Sequence, residues 1–340
     1  MSTSRETQLK QAAAEAFARF EDRRGEVFDP EPIVRLLPRE DIYAEVKWHG
    51  NGAAVDVSVG CLQRIEALWQ NALQSKVLID DAGNRLESVD GEPVTEERLA
   101  HLSLTWLILH ELMHLRLGHL DVLDIAALAE CDIDIAEASE IEVHWSEELD
   151  EAELPLIRPC LELQADNDAT EVMFGVYDET EWSRFRIEAA AIFVVMAVME
   201  KAEVERDNPD RTYPKVATRF FTLFAQLFQY WLYGDAQLEA GDGESFVRTA
   251  REPSGEDFQR YMKFVLALAI SDAIHIALWG DAKSFLDDLG AGSALFSDLF
   301  EAQYADKLAT ADLQTAAANE WRKLLPVNEK IMNLSGLRDG

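Results

Sequence analysis

Apolar positions recur at helical spacing through most of this chain, and only short stretches alternate. Residues 104–120, LTWLILHELMHLRLGHL, are apolar on nearly every face, which predicts a helix buried on all sides. The same 3.6-residue period predicts helices around 153–175, 181–205, 214–233, 256–279 and 294–325. The start, MSTSRETQLKQAAAEAFARFEDRR, reads as a polar amphipathic helix. Residues 53–59, AAVDVSV, alternate as a half-buried strand does. Residues 77–79 and 85–89 flank the turn-rich DDAGN and predict a hairpin. After Pro93, Thr95 stands where it can cap the helix that leads into the apolar run. Helices dominate, so the expected class is α+β, predominantly helical, with a small sheet or hairpin ahead of the long central helix. GDGES at 241–245 and Pro253 mark the expected boundary between residues 1–240 and a C-terminal helical region, 241–340.

Within the apolar run lies HExxH, formed by His110, Glu111 and His114. Positions four apart lie one above the other on a helix, so the two imidazoles can converge on one cation. Glu111 points about a quarter turn away, where its carboxylate can reach a water and take its proton. Two histidines, one base and an open coordination position are what catalytic zinc requires, and one Zn2+ per chain is expected. A metal also explains why three polar groups occupy adjacent turns of an apolar helix, where they would otherwise be buried without partners.

The third ligand must come from elsewhere. The metzincin pattern requires Gly at 117 and His at 120, and this chain has Leu117 and Leu120. His119 follows Gly118, an expected helix end, and is predicted to cap carbonyls there instead of binding the metal. In LELQADNDATEVMFG (161–175), Glu162 and Asp166 are spaced i, i+4, with small Ala165 and Ala169 beside them to allow close helix approach. One carboxylate can bind zinc while the other orients a ligand imidazole through its second ring nitrogen. Asp134, twenty residues after His114, is the rival for third ligand, since spacing alone does not separate the two.

HELMHLRLGH followed some fifty residues later by ELQAD resembles the gluzincin peptidases that combine HExxH with ExxxD, the group of the CAAX prenyl proteases and the heat-shock-induced membrane proteases. The resemblance covers roughly residues 95–220 and implies a zincin-like catalytic core. It assigns Glu162 as third zinc ligand and Asp166 as the residue behind the ligand histidine. Where that group often carries His-Pro followed by Arg, this chain has Tyr213-Pro214 and Arg219. A soluble branch related to phage-exclusion peptidases is also consistent with the motifs. The implied activity is a zinc metalloendopeptidase in which Glu111 is the base, with Tyr213, Arg219 or His144 as candidate oxyanion donors. The alternatives are a non-enzymatic acidic interaction protein, or decoy, whose metal site is structural, and a zinc hydrolase of a non-protein substrate.

Charge then narrows the partners. The chain has 31 Lys and Arg against 64 Asp and Glu, a formal net charge of −33. Residues 121–157 hold thirteen Asp and Glu and no Lys or Arg, and read as an acidic insertion between the two metal-binding segments. Such a rim is either a solvated insertion or a lid that steers basic protein or peptide substrates to the cleft. Direct nucleic-acid binding is disfavoured, because phosphate contacts need clustered cations. Cys61, Cys131 and Cys160 are odd in number and form no CxxC pair, and no signal-peptide segment is seen, which together suggest the cytoplasm. The apolar stretches 187–199 and 264–279 are expected to be core helices and not membrane spans, the first being too short and the second carrying Asp272 and His275.

Overall fold

A computed structural model of the protein describes residues 2–80, 82–89, 91–122, 149–150, 152–175, 181–205, 213–233, 255–280, 282–302 and 312–334. Helix α1 (Ser2–Arg24) leads into strands β1 (Ile33–Leu37), β2 (Ala44–His49) and β3 (Gly52–Ser58). Helix α2 (Val59–Ala72) follows, then the short β4 (Ser88–Val89) and β5 (Glu92–Pro93), and the long α3 (Glu96–Arg116). The remaining helices are α4 (Ile157–Phe174), α5 (Trp182–Glu205), α6 (Val216–Tyr233), α7 (Gly255–Trp279, with a π turn at Met262–Leu266), α8 (Lys283–Leu289), α9 (Gly292–Ala302) and α10 (Ala316–Leu334). The class is α+β, predominantly helical, as the periodicity predicts.

Helix α3 is the axis of the molecule. It buries residues on every side, from Leu99 through His114, and packs against α1, α2, α4 and α5. Thr95 caps it by accepting from Arg98 N at 3.2 Å, as expected. Its polar side chains serve as pins: Ser103 accepts from Trp69 Nε1 at 3.0 Å and donates to Ala191 O at 2.9 Å. Trp106 Nε1 donates to Thr170 Oγ1 at 3.2 Å. Where α4 crosses α3, Ala165 and Ala169 are wholly buried, so the two backbones approach closely. The main core is one continuous cluster that runs from Leu9 on α1 to Ala318 on α10.

The three-stranded sheet has the order β1-β3-β2, with β1 parallel and β2 antiparallel to β3. Strand β3 is the alternating segment read from the sequence, but it is buried on both faces and not half-buried, with Asp56 paired to Arg35 at 2.6 and 2.9 Å, while β1 and β2 were not anticipated. Strand β2 is an edge, and it lies against α3. The predicted hairpin across 77–89 is corrected. Asp80 builds the turn, its Oδ1 accepting from the backbone N–H groups of Ala82 (3.0 Å) and Asn84 (2.7 Å), but the flanks meet only at a single bridge, Ile79 with Arg85. Leu78 takes the left-handed conformation (φ 55°) and donates its N–H to Asp272 at 2.7 Å, and Ile79 O accepts from Arg186 at 2.9 Å. Backbone groups that a ladder needs are spent on side chains of α5 and α7.

Helix α7 is, by length and composition, able to cross a membrane. Its Asp272, however, is 0% exposed and forms a bidentate pair with Arg186 at 2.6 and 2.9 Å. The helix expected at 294–325 is instead two, α9 and α10, with residues 303–311 outside the described set. The boundary segment at 241–253 and residues 123–148 of the acidic insertion also lie outside the described residues.

Candidate metal centre

Helical spacing on α3 places the rings of His110 and His114 in edge contact, with Nε2 atoms 3.2 Å apart. Helix α4, held close by its alanines, brings Glu162 onto the same point. Its Oε2 lies 3.3 Å from His110 Nε2 and its Oε1 lies 3.6 Å from His114 Nε2. One ligand atom from each of these residues falls within 4.8 Å of the others, a group that could hold a metal ion. The fit to zinc can be tested on these edges. Bonds of 2.0–2.2 Å at tetrahedral angles set ligands about 3.4 Å apart, and the His–His and His–Glu separations bracket that value. Two imidazoles and one carboxylate also match the donor set of catalytic zinc sites.

Each histidine of this group is held from behind. His110 Nδ1 lies 3.0 Å from Asp166 Oδ1, although outside strict hydrogen-bond geometry. Asp166 in turn accepts from Arg219 on α6 twice, Nε to Oδ2 and Nη2 to Oδ1, both at 2.6 Å. On the other side Gly118, in the left-handed conformation (φ 69°), ends α3 and turns the chain so that His119 folds back. His119 Nδ1 then sits 2.9 Å from His114 Nδ1, and His119 Nε2 sits 3.0 Å from Gln164 Oε1. The expected carbonyl cap is therefore corrected, since both ring nitrogens face side chains. Neither Arg219 as the partner of Asp166 nor His119 as the neighbour of His114 was read from the sequence.

Glu111 points to the sheet. Its Oε2 accepts the backbone N–H of Val46 on β2 at 2.8 Å. Tyr213 is half-buried and close enough to Arg219 to influence its charge. His144 and Asp134 lie outside the described residues.

The electrostatics follow from burial. In the metal-free protein, burial opposes a charge on His110, but the carboxylates of Asp166 and Glu162 outweigh it and take its pKa up to about 10. Burial lowers His114 to about 3, against the pull of Glu162, and lowers His119 to about 4. Burial raises Glu111 to about 7, with His110 opposing. Asp166 lies below its ordinary range because Arg219 and His110 overcome the cost of burying it. For Glu162 both histidines do the same. Several buried acids and bases with shifted proton affinities at one point mark a polar cluster of the kind found at functional sites.

The fold and this cluster define a mainly helical protein with a His–His–Glu group able to take a metal ion. Residues 81–230 match the family model Peptidase U49, and this stretch carries His110, Glu111, His114, His119, Glu162, Gln164, Asp166 and Arg219. The match covers less than half of the chain and supports a peptidase acting on protein or peptide substrates. No curated protein and no solved structure matches the chain.

Proposed function

We propose that the protein is a zinc-dependent metallopeptidase of gluzincin type. The observation that carries this reading is the triangle of His110 Nε2, His114 Nε2 and the Glu162 carboxylate, with Glu111 one position along α3 from the first ligand. When bound, a zinc ion supplies Lewis acidity, which lowers the pKa of a water towards neutrality and polarises a carbonyl. Glu111 is the base that takes the proton of the attacking water and returns it to the leaving amine. The Val46 N–H fixes Oε2 of Glu111 at 2.8 Å, which leaves Oε1 for that proton. Asp166 orients His110, and Arg219 holds Asp166 ionised.

The substrate reading rests on β2. This strand is the edge of its sheet and is tied to the catalytic base, so an extended peptide adding to it would lie along the site. Strand β2 is therefore the candidate edge for an extended peptide. A net charge of −33 favours basic substrates. Tyr213 remains a candidate oxyanion donor. Arg219 commits Nε and Nη2 to Asp166, which leaves Nη1 for such a role. The buried free thiols of Cys61 and Cys160 accord with a reducing, cytoplasmic location.

The test is Glu111→Gln measured beside wild type for zinc content and for cleavage of a basic substrate such as a histone-derived peptide mixture. The variant is expected to keep zinc and lose hydrolysis, because Gln has the same shape and cannot accept the proton. Hydrolysis near the wild-type rate would remove Glu111 from the mechanism. Purified wild type that neither binds zinc nor cleaves any peptide would overturn the assignment as a whole.

A further inference from the structure

Behind His114 runs a chain of side chains that the mechanism above does not use. His114 Nδ1 is 2.9 Å from His119 Nδ1, and His119 Nε2 is 3.0 Å from Gln164 Oε1. Gln164 Nε2 donates to Asn328 Oδ1 at 2.8 Å, and Asn328 Nδ2 donates to Met332 Sδ at 3.7 Å. The chain joins α3, the turn at Gly118, α4 and finally α10, the C-terminal helix. His119 is 1% exposed, His114 and Gln164 are buried, and Asn328 is half-buried. Water therefore has little access with which to satisfy these groups in place of one another.

The polarity of this chain is determined at one end. A histidine that gives its Nε2 lone pair to a cation carries its proton on Nδ1. His114 Nδ1–H must then donate, so His119 Nδ1 must accept and His119 must be neutral with its proton on Nε2. That proton meets Gln164 Oε1, an acceptor, and the amide nitrogen of Gln164 is thereby turned to Asn328 Oδ1, again an acceptor. Every atom in the order found is the one this polarity requires. The opposite tautomer of His119 would set two N–H groups against each other at 2.9 Å or leave Gln164 Oε1 without a donor.

We infer that His119, Gln164 and Asn328 are positioning residues that hold His114 in its metal-binding tautomer, so that the C-terminal helix α10 takes part in building the metal site. This rests on the metal site proposed above. It extends that site beyond residues 81–230, the stretch that resembles a peptidase family, to Asn328. It also gives His119 and His114 different work. His114 supplies a lone pair to the cation, while His119 supplies a neutral acceptor that orients the ring.

The experiment uses the full chain, with zinc as the probe. Zinc affinity is measured by competition with a chromophoric chelator for wild type, His119→Leu, His119→Asn, Asn328→Leu, His114→Ala and Glu162→Ala. In parallel, 15N-histidine long-range NMR of the zinc-loaded wild type reports which ring nitrogen of each histidine carries its proton. His119→Leu is expected to weaken zinc binding about 10–100-fold, in the range of lost ligand-orienting partners. His119→Asn, whose Oδ1 stands in for the ring Nδ1 as acceptor, should recover most of that loss. Asn328→Leu should lose less than about tenfold, because it touches the chain two bonds away. The NMR should show protons on His114 Nδ1 and His119 Nε2. A His119 protonated at Nδ1 in the zinc-loaded wild type overturns the inference without any variant, which guards against substitutions that impair folding. Zinc affinity of folded His119→Leu within threefold of wild type does the same. If His114→Ala and Glu162→Ala keep full zinc affinity, the metal site itself is wrong; if they lose it while His119→Leu does not, only the present inference fails.

Discussion

Replacing Asp166 by Asn is the substitution whose consequences the structure specifies most fully. Asp166 Oδ1 faces both Arg219 Nη2 at 2.6 Å and His110 Nδ1 at 3.0 Å, and Oδ2 accepts from Arg219 Nε at 2.6 Å. An amide has a single oxygen. If that oxygen replaces Oδ1, the NH2 group faces Arg219 Nε, donor against donor; if it replaces Oδ2, the NH2 faces Arg219 Nη2 and the ring. Either way at least one donor is orphaned, and Arg219, buried on α6, loses its counter-charge. Removing one partner of a buried pair costs about 3–5 kcal/mol. The lower end is expected here, because one hydrogen bond survives and Glu162 still lies close enough to favour the guanidinium. That is a large share of the roughly 5–15 kcal/mol that holds a folded protein together.

Zinc binding should weaken separately. His110 loses a charged acceptor behind its ring, which is worth about 10–100-fold in affinity, or about 1.4–2.8 kcal/mol. Urea denaturation in EDTA reads the first loss. The same experiment with saturating zinc should show a larger loss, since ligand bound only to the native state adds its own binding free energy to stability. Arg219→Lys, which restores charge but not the fork of two parallel bonds, should fall between wild type and Asp166→Asn in both assays. A stability loss below about 1 kcal/mol in EDTA, together with zinc affinity within threefold of wild type, would refute this account of the Asp166 cluster.

Glu162→Ala should lose most zinc affinity while Asp134→Ala does little, as read by metal analysis of the purified variants; the reverse pattern would move the third ligand to the acidic insertion. Asp272→Ala leaves Arg186 buried without its bidentate partner and Leu78 N–H without its acceptor, and should lower stability by about 3–5 kcal/mol in urea titration, whereas a loss under about 1 kcal/mol would contradict the buried pair as a structural lock. Glu15 hydrogen-bonds His101 and its pKa is lowered from 4.5 to about 2, chiefly by that bond and against the effect of burial. A depressed carboxylate contributes stability that is present above pH 4.5 and lost as pH falls towards about 2. The gap between wild type and Glu15→Gln in urea midpoint should therefore be nearly constant well above pH 4.5 and shrink as pH falls from there towards about 2, and a gap independent of pH across that window would rule out the charge as its source.

The parts of the molecule that the sequence made legible are the local ones. HExxH, the Thr95 cap, the Gly118 stop and the pairing of Glu162 with Asp166 all depend on residues within a turn or two of each other, and helical periodicity reports such neighbours directly. Strand β2 was not legible because a single residue in it, Val46, is buried, so alternation leaves almost no mark. In the 77–89 segment the turn chemistry was read correctly, and what overrode the hairpin came from Arg186 and Asp272, more than a hundred residues away. The same distance hid Arg219, which meets Asp166 across 53 residues, and Gln164, which meets His119 across 45. No periodicity encodes a contact made by two helices folding onto a third.

Those distant contacts differentiate two histidines that the motif presents as equivalent. His110 is backed by an anion, Asp166, whose charge Arg219 largely cancels. His114 is backed by a neutral ring and two amides. On the proposed reading, the formal charges next to the metal would therefore reduce to those of Glu162 as ligand and Glu111 as base, since Asp166 and Arg219 offset each other. A divalent cation held by two neutral imidazoles and one carboxylate keeps a net positive charge, and with it the Lewis acidity that hydrolysis needs. Without Arg219, the uncancelled Asp166 would place a further negative charge beside the cation. That would bind the metal more firmly and make it a weaker acid. In the proposed metallopeptidase, α6 would contribute through the charge it removes from the site, and the convergence of α3, α4 and α6 would serve reactivity as well as ligand geometry.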